Sequence, residues 1–236
     1  MRKIASALLG TVDIIPDPDE LREEFTALMQ HAMGKEVGGV SLRLWTPQGS
    51  TIEFVRQVAP ALEDLTASAV PINPLTLEYP LGAWGGDDSR DYHVRVRVPT
   101  ASVGDERLAA RALLFVAGAQ VAAGLVRAVW TDDEAKSTRI NRQVAHYTGQ
   151  AELADAIAEG LAAREAGDTD TATIKLGRAV QLAHDAGNDN TVKLLGKVVD
   201  VDDPATGTVR LKRDVAAIDA MTLDVRSTRT VRVKGS

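Results

Sequence analysis

Acidic side chains are the first candidates for chemistry in this sequence. They gather in three clusters: Asp87, Asp88 and Asp91; Asp132, Asp133 and Glu134; Asp200, Asp202 and Asp203. A calcium loop needs oxygen donors at alternate positions, a central glycine and a closing bidentate Glu. None of the three has that order. "DVDDPATG" at 200–207 comes nearest but lacks the closing Glu, so it reads as a solvated turn, and Asp132 and Asp133 read as caps after a strand. The four histidines, His31, His93, His146 and His184, lack the close pairing of a zinc site. His31 and His184 fall toward helix C-termini, where the helix dipole favours them. His93 belongs on a strand face, and His146 beside Tyr147 reads as a packing or interface pair. Neither "GGVS" nor "QGST" forms the glycine elbow that presents a nucleophilic serine, and no phosphate-cradling Gly-x-x-x-x-Gly-Lys occurs. The expectation is that the chain is not an enzyme and carries no catalytic, cofactor-binding or metal residues.

Binding chemistry is better represented. Aromatic residues make up only 4% of the chain, and Trp84 in "YPLGAWGGDD" stands on a glycine-rich loop beside Asp87 and Asp88. An aromatic there can anchor a partner, so Trp84, Asp87 and Asp88 are candidate interaction residues; the alternative is a ring folded back over the strands. Trp45 and Trp130 read as core or sandwich-edge residues. Near the C-terminus Thr228 and Thr230 lie among Arg226, Arg229 and Arg232, a basic setting that makes both candidate phosphorylation sites.

The elements that must position these residues follow from patterning. The 236 residues are 44% hydrophobic with a mean hydropathy of −0.09, and no apolar run approaches the ~20 residues of a membrane span. A net charge of −6 argues against nucleic-acid partners, which demand a clustered positive face. With no cysteine and no signal-peptide pattern in "MRKIASALLG", a cytoplasmic location is expected.

Residues 11–15 have strand chemistry, and "PDPDE" then sets up a helix, with Asp17 as cap, Pro18 in the first turn and Glu20 placed for a capping box. Leu21, Phe25, Leu28 and Ala32 mark one face that should be buried, and Gly34 can end the helix. From about 38 to 130 the period is two, as in Val40-Ser41-Leu42-Arg43-Leu44-Trp45. "TPQGS" and "VAGAQ" read as hairpin turns, and "GAWGGDDSRD" as a surface loop. Residues 131–150 form a polar boundary, after which the helical period returns with Leu153, Ile157 and Leu161, then Ala172, Leu176, Ala179 and Ala183. Helix ends are expected at Gly167 and Gly187, and a third helix over "NTVKLLGKVVDV". Small residues at Ala158, Ala162, Gly177 and Ala183 allow close backbone approach. "VRLKRDVAAIDAMTLD" reads as a short helix and the remainder as a tail that either pairs as an edge strand or stays mobile.

Lys3-Ile4-Ala5, Gly10-Thr11-Val12-Asp13-Ile14-Ile15 and Asp19-Glu20-Leu21 with Phe25 resemble the closing signature of von Willebrand factor A (VWA) domains, a last strand leading into a final amphipathic helix. "SLRLWTPQGSTIEFVRQVAP", "SRDYHVRVRVP", "LVRAVWTDDEAKSTRINRQVAHYTGQAELADAIAEGL" and "LGRAVQLAHDAGN" extend the resemblance to the C-terminal half of bacterial VWA-containing proteins. The resemblance implies an α+β fold: an antiparallel β-sandwich followed by a small helical bundle, with a strand-helix remnant of a VWA α/β domain. The expected bounds are 1–34 for the remnant, 35–131 for the sandwich, 132–224 for the bundle with its tetratricopeptide-like hairpin, and 225–236 for a basic tail. A complete VWA domain is expected to bind magnesium through an Asp-x-Ser-x-Ser loop with a distant Thr and Asp. That loop does not occur here, so the metal site carries over to no residue of this chain. The implied role is a non-enzymatic protein-interaction or scaffold module. The alternative is an accessory region that positions a metal-dependent VWA domain on an ATPase or chaperone-like assembly. A protein partner is expected, with neither nucleic acid nor membrane, and a homodimer could form through the exposed strand edge at 12–15.

Overall fold

Period-two alternation over residues 37–129 produces eight strands. The computed structural model describes residues 14, 15, 19 and 21–230, divided between two units: 25–59 with 63–141, and 142–230 with 60–62 and the described residues before 25. The first unit contains β1 (Val37–Trp45), β2 (Thr51–Ala59), β3 (Glu63–Asp64), β4 (Val70–Asn73), β5 (Thr76–Trp84), β6 (Asp91–Arg97), β7 (Glu106–Val116) and β8 (Ala119–Val129). They form two sheets, ordered β4-β5-β1-β7-β8 and β3-β2-β6, with antiparallel pairing throughout. Val40, Leu42 and Leu44 of β1 and Tyr79 and Leu81 of β5 share a buried core with Val55 of β2. This is the expected β-sandwich. Because β1 and β5 alternate, Arg43 and Trp45 face away from that core, as do Thr76 and Glu78, their cross-strand partners.

One of the two expected hairpins is absent. "TPQGS" joins strands of different sheets, because both edges of β1 are taken, by β5 and β7, and the chain must cross to the other layer. Thr46 N–H closes that corner on Leu75 O at 2.9 Å. The other hairpin, β7 to β8, is tight, with Ala117 at φ 48° and Gly118 at φ 83°. Two successive positive φ values define a type I′ turn, whose first position favours Asn or Gly over Ala. Ala117→Asn is therefore expected to stabilise the sandwich by about 1 kcal/mol. A chemical-denaturation midpoint that stays put or falls would contradict the turn assignment.

The helix expected from Leu21 is present as α1 (Leu21–Met33). The strand at 11–15 and the caps at Asp17, Pro18 and Glu20 lie outside the described residues, except that Ile14 and Ile15 carry no regular structure. The face assigned to burial is instead exposed: Leu21 at 54% and Phe25 at 58%, with Leu28 and Ala32 also exposed. Spacing identifies an amphipathic helix but does not specify what covers it.

After the short helix α2 (Glu134–Ser137), the second unit contributes α3 (Arg142–Glu165), α4 (Thr169–Asp185) and α5 (Asp189–Leu195). Gly167-Asp168 and Gly187-Asn188 link these helices, each pair ending one helix and starting the next. Gly167 (φ 81°) and Gly187 (φ 63°) take the left-handed cap, while Asp168 N–H returns to Ala163 O at 2.9 Å and Asn188 N–H to Ala183 O at 2.8 Å. The Asp168 and Asn188 side chains then accept from Thr171 N and Thr191 N. The core holds Ile157, Leu176, Ala179, Val180 and Ala183.

Beyond α5 the expectations need correction. The third helix stops at Leu195, and "VRL" is not helical: β9 (Val199–Asp203) and β10 (Thr208–Leu211) form an antiparallel hairpin, followed by α6 (Ala217–Ser227). The β-branched residues Val199, Val201, Thr208 and Val209 favour strand, and Val199 and Val209 complete the helical core. The close approach expected at Ala158 and Ala162 occurs elsewhere, since both are exposed. Gly160 instead admits Leu176, and Gly177 admits the hairpin turn at Gly207.

Candidate interaction surface

The outer face of the five-stranded sheet gathers side chains suited to binding. Cross-strand register sets Trp45 beside Arg111 and Arg111 beside Leu125; one step along, Arg43 lies beside Leu113 and Leu113 beside Ala123. The Arg111 guanidinium stands 5.3 Å from the centre of the Trp45 ring, and that of Arg43 stands 3.8 Å from the centre of Phe115. Arg43 also donates from Nε to Glu78 Oε2 at 2.5 Å. These contacts hold flat cations over aromatic faces, a geometry that favours Arg over Lys. Trp45, Arg111, Leu113 and Leu125 line an open groove of about 500 Å³ with Thr76, Gln120, Ala123 and Gly124. Arg111 and Leu125 are exposed, and Trp45 and Leu113 are half-buried. The groove can take an apolar side chain, with a cation at its rim for a carboxylate.

The loop residues behave differently. Trp84 ends β5 and folds back, its indole Nε1 donating to Leu81 O at 3.3 Å. Arg90 lies 4.7 Å from the centre of that ring. From Nη1 it donates to Leu81 O, and from Nη2 to Ala83 O, both at 2.8 Å; Nη2 also donates to Asp88 Oδ2 at 3.2 Å. The Arg90 and Asp88 side chains retain only 15% and 19% of their exposure. Trp84 and Asp88 are thus joined by Arg90, whereas Asp87 is exposed and takes no part in these Arg90 contacts. Burial raises the Glu63 carboxyl pKa, and the Arg90 charge partly opposes it. Burial also pushes Tyr92 up to about 12 and His93 down, the latter partly offset by Asp91.

The remaining sites have structural roles. Asp133 caps α2 by accepting from Ala135 N at 3.0 Å. Asp202 pairs with Arg210 across the β9–β10 hairpin, and Asp203 accepts from Ala205 N and Thr206 Oγ1 in its turn. His146 meets Tyr147 edge-on, ring centres 5.3 Å apart. Thr228 is the C-cap residue of α6: its hydroxyl donates to Val225 O at 2.8 Å and its carbonyl accepts from Leu62 N at 2.7 Å. Thr230 N donates to Pro60 O, beside an isolated bridge between Ala61 and Arg229. Both threonines are half-buried, and Arg232 lies outside the described residues. The Trp45–Arg111 pair was not among the sequence candidates. Its signal is the alternation that buries Leu44 and so turns Trp45 outward.

Residues 181–227 match the family model described as the von Willebrand factor type A C-terminal domain. Among solved structures, a von Willebrand factor type A protein from Catenulispora acidiphila is 55% identical, with a TM-score of 0.90 over 98% of this chain. The chain belongs with the von Willebrand factor type A proteins. It spans 55% of the length of the Catenulispora protein. The ArnB paralog VWA2 from Sulfolobus acidocaldarius is 15% identical, with a TM-score of 0.36 over 94% of this chain and 49% of that one. Comparison with curated proteins gives no match. The VWA C-terminal match covers the end of α4, α5, the β9–β10 hairpin and α6. Among the described residues, no helix is long and apolar enough to cross a membrane.

Proposed function

We propose that this VWA-family chain is a non-enzymatic, cytoplasmic protein-interaction module that receives its partner on the open face of the five-stranded sheet. The observation that supports this reading is the groove in which Arg111 overlies Trp45 beside Leu113 and Leu125. Trp and Arg are the residue types enriched at energetic hot spots of interfaces. The partner that fits is a protein segment with an apolar anchor and a neighbouring carboxylate, which Arg111 would bind. The accessory reading, in which the chain positions a metal-dependent VWA domain, is favoured by the greater length of the Catenulispora protein.

A photo-crosslinking residue at position 113, compared in cells with one at the exposed Glu159 of α3, tests the binding face. The expected outcome is a discrete adduct from position 113 that disappears when Arg111→Glu is added. Equal labelling from both positions would reject the face as the binding site. Formation of the adduct only with magnesium and a longer chain would favour the accessory reading.

A further inference from the structure

A sheet edge presents unpaired N–H and C=O groups that can template another strand, and natural edges are usually blunted. Three of the four described sandwich edges are. β4 is four residues long and contains Pro71, which has no N–H to donate. β3 has two residues, and β6 carries Asp91, Arg95 and Arg97 within seven. β8 is the least protected: it runs for eleven residues with no proline, its one charged side chain, Arg127, is tied to Glu106 at 2.8 Å, and its bulge at Val121 leaves Ala122–Val126 in unbroken register with β7. Val121, Leu125 and Val129 on one face and Val126 on the other are all exposed.

We propose that β8 pairs antiparallel with β8 of a second copy about a two-fold axis at Gly124, joining two five-stranded sheets into one of ten. The pattern of the strand is self-complementary in this register. Gly124 is the midpoint of Ala119–Val129, and within the regular stretch Ala122–Val126 every residue finds a counterpart. Leu125 lies across from Ala123 of the second copy and Val126 across from Ala122, large against small on both faces. Arg127 lies next to the Val121 bulge of the second copy. The two arginines are therefore six residues apart along the strands, about 20 Å, beyond the screening length of about 8 Å in physiological salt. No like charges oppose one another. A strand-wide contact is smaller than a standard interface, so the dimer is weak and concentration-dependent. Its backbone contacts run along the edge, but Ala123, Gly124 and Leu125 at its centre also line the groove; the oligomeric state of the purified chain tests the dimer without the groove's partner.

Gly124 provides a register-specific test, because a Cβ there would meet nothing within 4 Å in the single chain. Sedimentation of the full chain across a micromolar-to-millimolar series should show wild type passing from monomer to dimer. Gly124→Lys and Gly124→Glu should each weaken the dimer about tenfold or more, because each places like charges directly opposite one another. Their equimolar mixture should recover it, and circular dichroism should show both variants folded. Wild-type β8 amides should also exchange more slowly as concentration rises, a readout that does not depend on any variant. A wild type that stays monomeric, variants that dimerise like wild type, a mixture that fails to recover, or β8 exchange indifferent to concentration would each overturn the proposal. The second of these outcomes would place the contact away from Gly124.

Discussion

Gly177→Ala is expected to destabilise the helical unit by about 3 kcal/mol, opposite in sign to what helix propensity gives. In an open helical position the same change stabilises by about 1 kcal/mol. At Gly177 the added Cβ would lie 2.3 Å from Gly207 O, and at Gly207 it would lie 2.4 Å from Gly177 O. Both obstacles are backbone, so neither can swing aside. Gly207 also sits at φ 71°, which the β9–β10 turn requires. Relief demands that α4 and the hairpin separate, uncovering Val209 and Val180 in the shared core. Gly149 of α3, whose Cβ would meet nothing within 4 Å, provides the control. Chemical denaturation followed by far-ultraviolet circular dichroism should move the helical transition down for Gly177→Ala and up for Gly149→Ala. Shifts of the same sign would show that the helix–hairpin contact is not close.

Arg90→Ala is expected to cost the sandwich about 3 kcal/mol, because it removes the Arg90 guanidinium from beside the largely buried Asp88. The carbonyls of Leu81 and Ala83 lose charge-assisted hydrogen bonds in the same step. The loss should depend on pH, and its sign follows from Glu63. Burial already raises the Glu63 pKa and the Arg90 charge opposes that rise, so the variant raises it further. A group with a folded pKa above its unfolded value contributes stability that is full below the unfolded pKa and fades as pH rises through the folded one. The variant should therefore lose more stability at neutral pH than at a pH well below the ordinary Glu value of ~4.3, where Glu63 is protonated in both the folded and unfolded chain. Thermal melts of wild type and Arg90→Ala across that range measure the difference. A gap independent of pH would mean that Arg90 acts by packing alone.

The sequence made these two sites legible to different degrees. The caps at Gly167 and Gly187 could be read directly, since glycine followed by Asp or Asn encodes both a left-handed end and a new helix start. The value of Gly177 was visible as a small residue on a helix, but its partner was not. The contact depends on a hairpin that local pattern assigned partly to helix, and on a turn 30 residues away. Trp84 stood out for its glycine-rich setting, yet the cation six residues later folds it inward. Trp45 reads as core or sandwich edge because large rings usually pack, although alternation with the buried Leu44 puts it on the outer face. Whether an outward face is covered is decided by the other sheet, and no local period reports that. The apolar stripe of α1 illustrates the same limit, since its spacing is helical and its face is exposed.

The central claim is that the sheet face at Trp45 and Arg111, and not the loop at Asp87, receives the partner. The most direct test is titration calorimetry of the crosslinked partner, purified, against wild type, Arg111→Glu, Trp45→Ala and Asp87→Asn. Loss of a hot-spot contact should weaken binding about thirtyfold for the first two variants, while Asp87→Asn binds as wild type does. Unchanged affinity in Arg111→Glu and Trp45→Ala, with loss in Asp87→Asn, would contradict the account.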